Sequence, residues 1–581
     1  MVGMANGPSA DASSIANRGW LQLLLLLAII AVLLSPALRA EFLWDDFKQI
    51  AESPTIDDLG RIPFYFTHNV VESAGGEGRG AEGVDTYRPL FMVTLAAVYQ
   101  VNGPDPFWFH ASVLAAHLLV CALLWCLAIR WIDSSLAAAI AVFFFACHPV
   151  TAEAYLWPSA LPEPLAAAGL LGAVLILDHL SPYGRQRSRA WVVATVAGIV
   201  FFAGLLSKEI VLAGLLALGL FLVASRKVLV RYLMPATVAV IVFLVMRAAA
   251  LDGMQAAGAD ATQRIQALKV YPVLLVDGLH SMLTMQPIGI RHLSWEYAGV
   301  SWSTSCLAAA LCVVILVVTI IARRIAPLAP TAALTTGLML APIALVATVP
   351  GWGGFGRYLY VPLAVTSLAL ADLGLAAHTK LETSRPLFRW AVPAIVAVVI
   401  ISEIVGLQRA LHVYANQENL ARAAIEIFPD GPDGWEWLGN VYLDRGELEA
   451  ARECYREATE RAPELYRPRH NLAAALLYTG HPAEALEQLE ILNSLHPPTG
   501  PGSKVAVDAL MALGRWDEAG ERLVLSLDRD PNYGPLGETA SRLLDQHPRQ
   551  TEFRAWLEYE LGLPEHRKAA IVLRPMLGID E

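Results

Sequence analysis

Apolar segments of about twenty residues recur from Trp20 to about Gly406 and then stop. A helix needs ~20 apolar residues to cross the hydrocarbon core of a bilayer. In lipid, every backbone polar group must find its partner inside the protein, so only helices and closed barrels can span. The chain is 56% hydrophobic and only 16% charged, against ~25% charged residues in soluble domains. These features predict an all-α, polytopic membrane protein.

Hydropathy predicts about eleven transmembrane helices within residues 18–410. The first could instead be a cleaved signal peptide, but Leu38 stands where a cleavage site requires a small residue, which favours an uncleaved span. The predicted spans are 18–38, 107–129, 135–149, 163–180, 190–206, 209–225, 229–247, 302–322, 330–349, 357–375 and 390–408.

Basic clusters orient these spans, because Lys and Arg concentrate in cytoplasmic loops. All the clusters face the cytoplasm only if the apolar segment 268–287, which contains Pro272 and Asp277, does not cross. We therefore predict that it does not cross. Residues 1–17 then form a cytoplasmic N-terminal tail, and the chain after residue 410 lies outside, in the periplasm or a lumen.

The chain beyond residue 410 is acidic. It contains 29 acidic and 17 basic residues, a net charge of −12, whereas the whole chain carries −11. Binding to nucleic acid requires a basic surface. The composition therefore argues against nucleic acid as a partner.

This acidic tail has a 34-residue period, which is the length of a tetratricopeptide repeat. Glycines, alanines and prolines recur at this spacing: Gly446, Gly480 and Gly514; Ala451, Ala485 and Ala519; Pro429, Pro463, Pro497 and Pro531. Small residues allow paired helices to approach closely, and proline ends the second helix. We predict a tetratricopeptide-repeat solenoid over 411–535 and a C-terminal cap over 536–581. Such arrays hold peptides or partner proteins.

Polar motifs collect on the predicted outer side of the membrane. Asp45 and Asp46 follow the first span directly and open an outer loop over 39–106. A carboxylate held at the membrane surface can act as a general base or a metal ligand. The other motifs are Thr86-Tyr87-Arg88-Pro89-Leu90, His148-Pro149 with Glu153, Leu206-Ser207-Lys208-Glu209, and Arg357-Tyr358-Leu359-Tyr360-Val361-Pro362.

Each motif also has a purely structural interpretation. The Asp pair could cap a surface helix, and Lys208-Glu209 could be a structural ion pair. His148 could be a core histidine, and Arg357 could anchor a membrane interface. The joint occurrence of acids, a lysine, arginines and a histidine on one face favours a functional site.

The order of these motifs resembles that of the transmembrane and tetratricopeptide-repeat O-mannosyltransferases (the TMTC proteins) and their bacterial relatives. The similarity rests on a first span followed by Asp-Asp, then Tyr-Arg-Pro-Leu, His-Pro-x-x-x-Glu-Ala, Leu-Ser-Lys-Glu, Arg-Tyr-Leu-Tyr-x-Pro, and the repeats. It covers nearly the whole chain. The array of about three repeats is shorter than in animal members, so the acceptor need not be the same.

The resemblance implies a C-type polytopic glycosyltransferase (GT-C) fold for residues 18–410, located in the bacterial inner membrane. It implies transfer of a sugar, mannose by analogy, from a polyprenyl-phosphate donor to a hydroxyl of a protein or glycan acceptor, with inversion, on the non-cytoplasmic face. The repeats would recruit the acceptor.

The residues suit this chemistry. Asp45 or Asp46 would deprotonate the acceptor, with Glu153 as a third catalytic acid. Arg357, then Lys208 and Arg88, would bind the donor phosphate, since guanidinium matches phosphate in a forked geometry. His148, Glu209 and Tyr358 would shape the site or place the acceptor. A divalent cation, Mg²⁺ or Mn²⁺, held by Asp45, Asp46 and Glu153 is an option that sequence spacing does not decide.

Two other classes of function compete. A non-catalytic membrane-anchored repeat scaffold would need one span rather than eleven. A transporter of lipid-linked sugars would place ionisable residues at mid-membrane and show internal symmetry, and neither is visible in the sequence. We therefore predict a glycosyltransferase.

Overall fold

The structure is a computed structural model in which the described secondary structure is helical. Contacts divide the chain into two compact units, Met1–Asn419 and Leu420–Glu581. The described residues are 10–73, 86–132, 134–179, 187–224, 230–251, 261–285, 297, 299–346, 356–384, 388–531, 533–563 and 566–577.

Each of the eleven predicted spans corresponds to a helix of the first unit. The first begins at Ala10, inside the predicted tail 1–17, of which residues 1–9 lie outside the described part. The longer helices of this unit are Ala10–Leu34, Pro89–Asn102, Pro106–Trp131, Ser135–Cys147, Pro162–Asp178, Arg187–Leu205, Val211–Ala224, Met234–Ala250, Ala261–Thr284, Trp302–Ala322, Ala329–Val346, Tyr360–Ser384 and Ala391–Val413.

In the described residues, seven helices are long and apolar enough to cross a membrane, or eight if one bent pair forms a single span. Three predicted spans, 190–206, 209–225 and 330–349, form shorter apolar helices. The chain is thus a multi-pass membrane protein by the length and composition of its helices, and the count of eleven stays a prediction. The seven are Gly19–Arg39, Pro106–Trp131, Pro158–Asp178, Val230–Ala250, Trp302–Ala322, Gly356–Thr383 and Ala391–Val413.

The segment predicted not to cross lies largely in helix Ala261–Thr284, which has Pro272 in its interior. This helix packs against Trp302–Ala322 and Ala329–Val346. It is not among the seven span candidates in the described chain. Whether it crosses stays a prediction, and residues 286–287 of the predicted segment lie outside the described part.

Two neighbouring helices of the first unit approach unusually closely. Pro162–Asp178 packs along Arg187–Leu205, with Gly169 facing Gly204. A Cβ added to Gly169 would lie 2.5 Å from the Gly204 Cα. Between membrane helices, packing rather than the hydrophobic effect drives association, so small residues that let backbones meet are favoured.

One predicted span is broken. Helix Ser135–Cys147 ends before Pro149, and the chain continues through Pro149–Leu156 at a bend of 44°. Proline lacks the N–H that would continue the helix and clashes with the preceding turn. The break turns residues 149–160 into short helical pieces, and Glu153 lies on one of them.

The second unit consists of paired helices. They are Asp433–Asp444 with Leu448–Arg461, Tyr466–Tyr478 with Pro482–Leu495, Gly500–Ala512 with Trp516–Arg529, Gly534–Gln546 with Gln550–Glu560, and a last helix Arg567–Leu577; helix Gln417–Ile427 precedes them.

The glycines at the 34-residue spacing form the turn within each of the first three pairs. Gly446, Gly480 and Gly514 have φ of 75°, 82° and 73°, a left-handed conformation that glycine adopts without a Cβ penalty. Each donates its N–H to the carbonyl three residues earlier. The alanines at the same spacing are completely buried, as the repeat pattern predicts.

Helix pairing continues past residue 535, where we predict a cap. The fourth pair begins 34 residues after the third, at Gly534. The signature residues change, however: Pro548 stands at the turn-glycine position, and the small alanine is replaced by Phe553, which stacks on His547 at 4.2 Å. The helices keep the 34-residue period although the signature residues are lost, so the sequence pattern alone does not reveal the fourth pair.

Replacing Gly169 tests the close helix crossing. We expect Gly169→Ala to lower the free energy of unfolding by about 1–3 kcal/mol, the usual cost of overpacking, because the new Cβ meets backbone rather than a movable side chain. Thermal unfolding in detergent is the measurement. Gly374→Ala is the matched control, since a Cβ there meets nothing within 4 Å; equal behaviour of the two variants would contradict the packing argument.

Candidate functional site

Asp46 is buried and fastens two segments together. Its Oδ1 accepts hydrogen bonds from the Ser159 backbone N–H at 2.8 Å and from the Ser159 hydroxyl, and its Oδ2 accepts from the Leu43 N–H at 2.9 Å. Burial raises the pKa of Asp46 to about 7, while these three donors oppose the rise. A carboxyl group engaged in this way positions its neighbours.

Asp45 differs from Asp46 because its side chain is exposed. It follows Trp44, a non-glycine residue with φ of 25°, a conformation that persists only where the surroundings enforce it. The Trp44 ring packs edge-on against Trp157 at 5.8 Å. Asp45 lies within electrostatic range of the Arg357 guanidinium. The geometry distinguishes the two aspartates: Asp45 is accessible, whereas Asp46 is held in the scaffold.

Glu153 pairs with Arg357. Glu153 lies on the short helix Ala152–Leu156, and Arg357 lies on the one-turn helix Gly356–Leu359. The Arg357 Nε is 3.2 Å from Glu153 Oε1, and the Arg357 backbone N–H donates to Oε2 at 3.2 Å. Both oxygens of this predicted catalytic acid therefore face the predicted phosphate ligand.

Lys208 pairs with Glu163, a residue outside the predicted set. Lys208 follows helix Arg187–Leu205, and Glu163 lies in the first turn of the neighbouring helix Pro162–Asp178. The Lys208 ammonium donates to Glu163 Oε1, whose distance from the Arg357 Nε is 3.9 Å. Burial lowers the pKa of Lys208 to about 8, and Glu163 opposes this effect. The structural pair suggested by sequence, Lys208 with Glu209, is thus replaced by a pair across two helices.

Arg88 supplies a third cation. It precedes helix Pro89–Asn102, and the Leu90 N–H donates to the Leu206 carbonyl at 3.1 Å, which ties this segment to the one that carries Lys208. Arg88 acts electrostatically on Lys208. Its Nε is buried with no hydrogen-bond partner among the described residues. Arg88 therefore has donor capacity that the described protein atoms do not use.

The two cations Lys208 and Arg357 lie near aromatic rings. The Lys208 ammonium lies 4.6 Å from the centre of the Tyr358 ring, and the Arg357 guanidinium carbon lies 5.7 Å from that ring and 5.9 Å from Trp157. Cations are attracted to aromatic faces. Tyr358 thus lies between two cations, consistent with a role in shaping the site.

A small pocket opens beside Lys208 and Arg357. Its polar lining residues are Glu163, Lys208, Arg357 and the two tyrosines that follow Arg357, and its apolar lining residues are Ala166, Ile210, Val211, Met339 and Val361. Two cations, Lys208 and Arg357, and one buried carboxylate, Glu163, line this pocket, an arrangement that can accept an anion.

His148 and Glu209 have other surroundings. Nδ1 of His148 accepts from the Val150 N–H at 3.2 Å, and its Nε2 lies 3.0 Å from the Met282 carbonyl and 3.8 Å from Glu403 Oε1. Both ring nitrogens of the buried His148 are engaged, which is the environment of a core histidine, and its role in placing the acceptor stays a prediction. Glu209 is half-buried, and its recorded backbone bond is from the Leu212 N–H to its carbonyl.

No group of three or more His, Cys, Asp or Glu side chains in the described chain is placed to hold a metal ion. Of the three acids considered for a divalent cation, Asp46 is engaged by three donors and Glu153 faces Arg357. These carboxylates are neutralised by the protein's own donors and cations.

Three residues of this site were not predicted. Ser159 and Trp157 lie in the same loop as Glu153, which we predict to face outward, and Glu163 is the other acid of that loop. A buried lysine requires a nearby anion, which is the one signal in the sequence that pointed towards Glu163. Nothing in the sequence identifies the partner of Asp46, because Ser159 is 113 residues away.

Comparison with known proteins identifies the repeat. Residues 432–465 match the family model of the tetratricopeptide repeat, which corresponds to the first helix pair of the second unit. No curated protein matches the chain. The chain is a membrane protein that carries tetratricopeptide repeats.

The pH dependence of stability tests the burial of Asp46. Because burial raises its pKa from 3.8 to about 7, the folded protein keeps a proton that the unfolded chain releases between these values. Its contribution to stability is full below pH ~4 and is lost as pH rises towards ~7. As pH rises from 4 to 7, we expect the thermal midpoint of wild type to decrease relative to that of Asp46→Asn. Asp45→Asn, the exposed neighbour, is the control; a pH-independent difference would contradict the assignment.

Proposed function

We propose that the protein is a membrane glycosyltransferase that moves a sugar from a polyprenyl-phosphate donor to an acceptor hydroxyl. The observation that carries the proposal is a pocket lined by two cations, Lys208 and Arg357, together with aliphatic side chains. A lipid-linked phosphate has a charged part and an apolar part that suit such a lining. Mannose as the sugar comes from the family resemblance alone, since a fold does not fix a substrate.

Arg357 is the main ligand of the donor phosphate in this proposal. The Arg357 Nε faces Glu153 and Glu163. Within the described residues, the two terminal nitrogens of Arg357 make no hydrogen bond with the protein. These two N–H₂ groups can bind two phosphate oxygens in the forked geometry that guanidinium favours. Lys208 and Arg88 add positive charge.

Asp45 is the general base. Its exposed carboxylate takes the proton of the acceptor hydroxyl, whose oxygen attacks the anomeric carbon of the sugar. The bond between that carbon and the phosphate oxygen breaks, and polyprenyl phosphate leaves with the electron pair. Attack opposite to the leaving group inverts the anomeric centre. Asp46 orients the loop that presents Asp45 and does not touch the substrate.

Cations stabilise the leaving group. A phosphodiester becomes a phosphate monoester during the reaction, so negative charge develops on the oxygen that departs. Arg357 and Lys208 are already held by Glu153 and Glu163, so they require little rearrangement as this charge appears. Preorganised charge of this kind is a major source of catalytic power.

The repeats would recruit or orient the acceptor, as tetratricopeptide arrays bind peptides and partner proteins. A membrane-anchored scaffold is the competing function, and the tetratricopeptide match at 432–465 favours it. A scaffold gives no reason for two cations in a pocket and an exposed acid within electrostatic range of one of them. The transferase accounts for both units.

Transfer by the two aspartate variants tests the mechanism. With labelled polyprenyl-phosphate mannose and a periplasmic or lumenal extract, we expect Asp45→Asn to lower the rate by about 10²–10⁴-fold, the usual contribution of a general base, without changing the thermal midpoint. Asp46→Asn should lower rate and stability together, because Asn cannot accept all three hydrogen bonds. Asp57→Asn, another exposed acid of the same loop, is the control and should transfer normally. Full activity of Asp45→Asn would exclude it as the base.

If wild type transfers no label from this donor or from other polyprenyl-phosphate sugars while folded, the scaffold becomes the better explanation. Capture of a specific partner by the repeats would then be its positive test.

A further inference from the structure

Tyr414 is a buried residue that directly follows helix Ala391–Val413 of the first unit. Its side chain is 4% exposed, and the hydroxyl has no hydrogen bond within the described part of the chain. Buried polar groups are nearly always paired, and an exception requires an explanation. A ligand that arrives only during function is one such explanation.

Tyr414 lies near the candidate site, outside the set of residues that line its pocket. Tyr414 lies within electrostatic range of both Glu153 and Arg357. The next residue, Ala415, accepts a hydrogen bond at 2.9 Å from the N–H of Glu41, four residues before Asp45. The end of the last helix thus supports the loop that carries the proposed base.

Earlier residues of the same helix fix its position. Gly406 packs so closely on Pro149 that an added Cβ would lie 2.7 Å from the Pro149 Cγ. Glu403 Oε1 lies 3.8 Å from the His148 Nε2. The helix is therefore held against the break in the chain that leads to Glu153, and Tyr414 has little freedom to move away.

We propose that Tyr414 is a substrate-binding residue whose hydroxyl donates a hydrogen bond to the phosphate of the lipid-linked donor, beside Arg357. The proposal rests on the proposed function, because it takes its ligand from there. A phenol can donate one hydrogen bond to an oxyanion, and bonds to ionised acceptors are roughly twice as strong as neutral ones. The bond would strengthen as charge develops on the leaving phosphate.

Tyr414 is also close in sequence to the start of the repeats. Helix Gln417–Ile427, which leads into the repeats, begins three residues after Tyr414. The part of the chain that completes the donor site is thus continuous with the part proposed to hold the acceptor.

Tyr414→Phe tests the assignment, because it removes the hydroxyl and keeps the ring. Full-length wild type and variant would be purified in detergent and their thermal unfolding measured with and without polyprenyl phosphate. Without ligand, we expect the variant to unfold at the same temperature as wild type or higher, since no bond is lost. Affinity for polyprenyl phosphate should fall by about 10- to 100-fold, as expected for one hydrogen bond to a charged group.

Tyr271→Phe is the matched control. The Tyr271 hydroxyl donates to the Gly337 carbonyl at 2.7 Å, so its removal should lower the unfolding temperature and leave the affinity unchanged. A structural role for the Tyr414 hydroxyl predicts the behaviour of this control instead.

The outcomes separate this inference from the proposed function. Unchanged affinity of Tyr414→Phe, or lost stability without ligand, would overturn the inference and leave the transferase untouched. Weaker binding by the variant, together with a wild type that transfers no sugar, would support Tyr414 as a phosphate ligand and refute the transferase. A wild type that does not bind polyprenyl phosphate would overturn both.

Discussion

The alternating ion pairs from Glu153 through Arg357 and Glu163 to Lys208 are the interaction on which the first unit depends. Three of these charged side chains are buried and Arg357 is half-buried, all near the ends of helices in a membrane protein, where an unpaired charge is costly. Each cation is neutralised only if helix ends distant in sequence come together. Removing one partner would leave another charge buried and uncompensated. The requirement that builds the site therefore also organises the helices around it.

Sequence periodicity predicts much of this architecture, because helices and turns are determined by residues that are close in sequence. Hydropathy finds each apolar helix, and the 34-residue spacing finds the turns at Gly446, Gly480 and Gly514. Length and apolarity qualify seven or eight helices of the described chain as spans, and the count of eleven stays a prediction. The 34-residue pattern fails at the fourth repeat pair, which keeps its helices after losing its signature residues.

Partners of site residues are the part that sequence could not provide. Motifs point to Asp46, Arg357 and Lys208, but the groups that hold them, Ser159 and Glu163, are chosen by tertiary packing. Residues without a chemical signature, such as Gly169 and Gly406, decide whether helices approach closely enough. The sequence likewise treats Asp45 and Asp46 as equivalent, and only burial separates the two.

The exposure of Asp45 has a consequence for the step that would follow the proposed sugar transfer. A base that has accepted a proton must lose it before the next cycle. Asp46 is buried and accepts hydrogen bonds from Ser159 and Leu43, so it has no direct contact with water to which a proton could pass. Asp45 is open to solvent, so water can carry its proton away at once. In the proposed reaction, Asp45 thus releases the proton to water, whereas Asp46 keeps the loop in place.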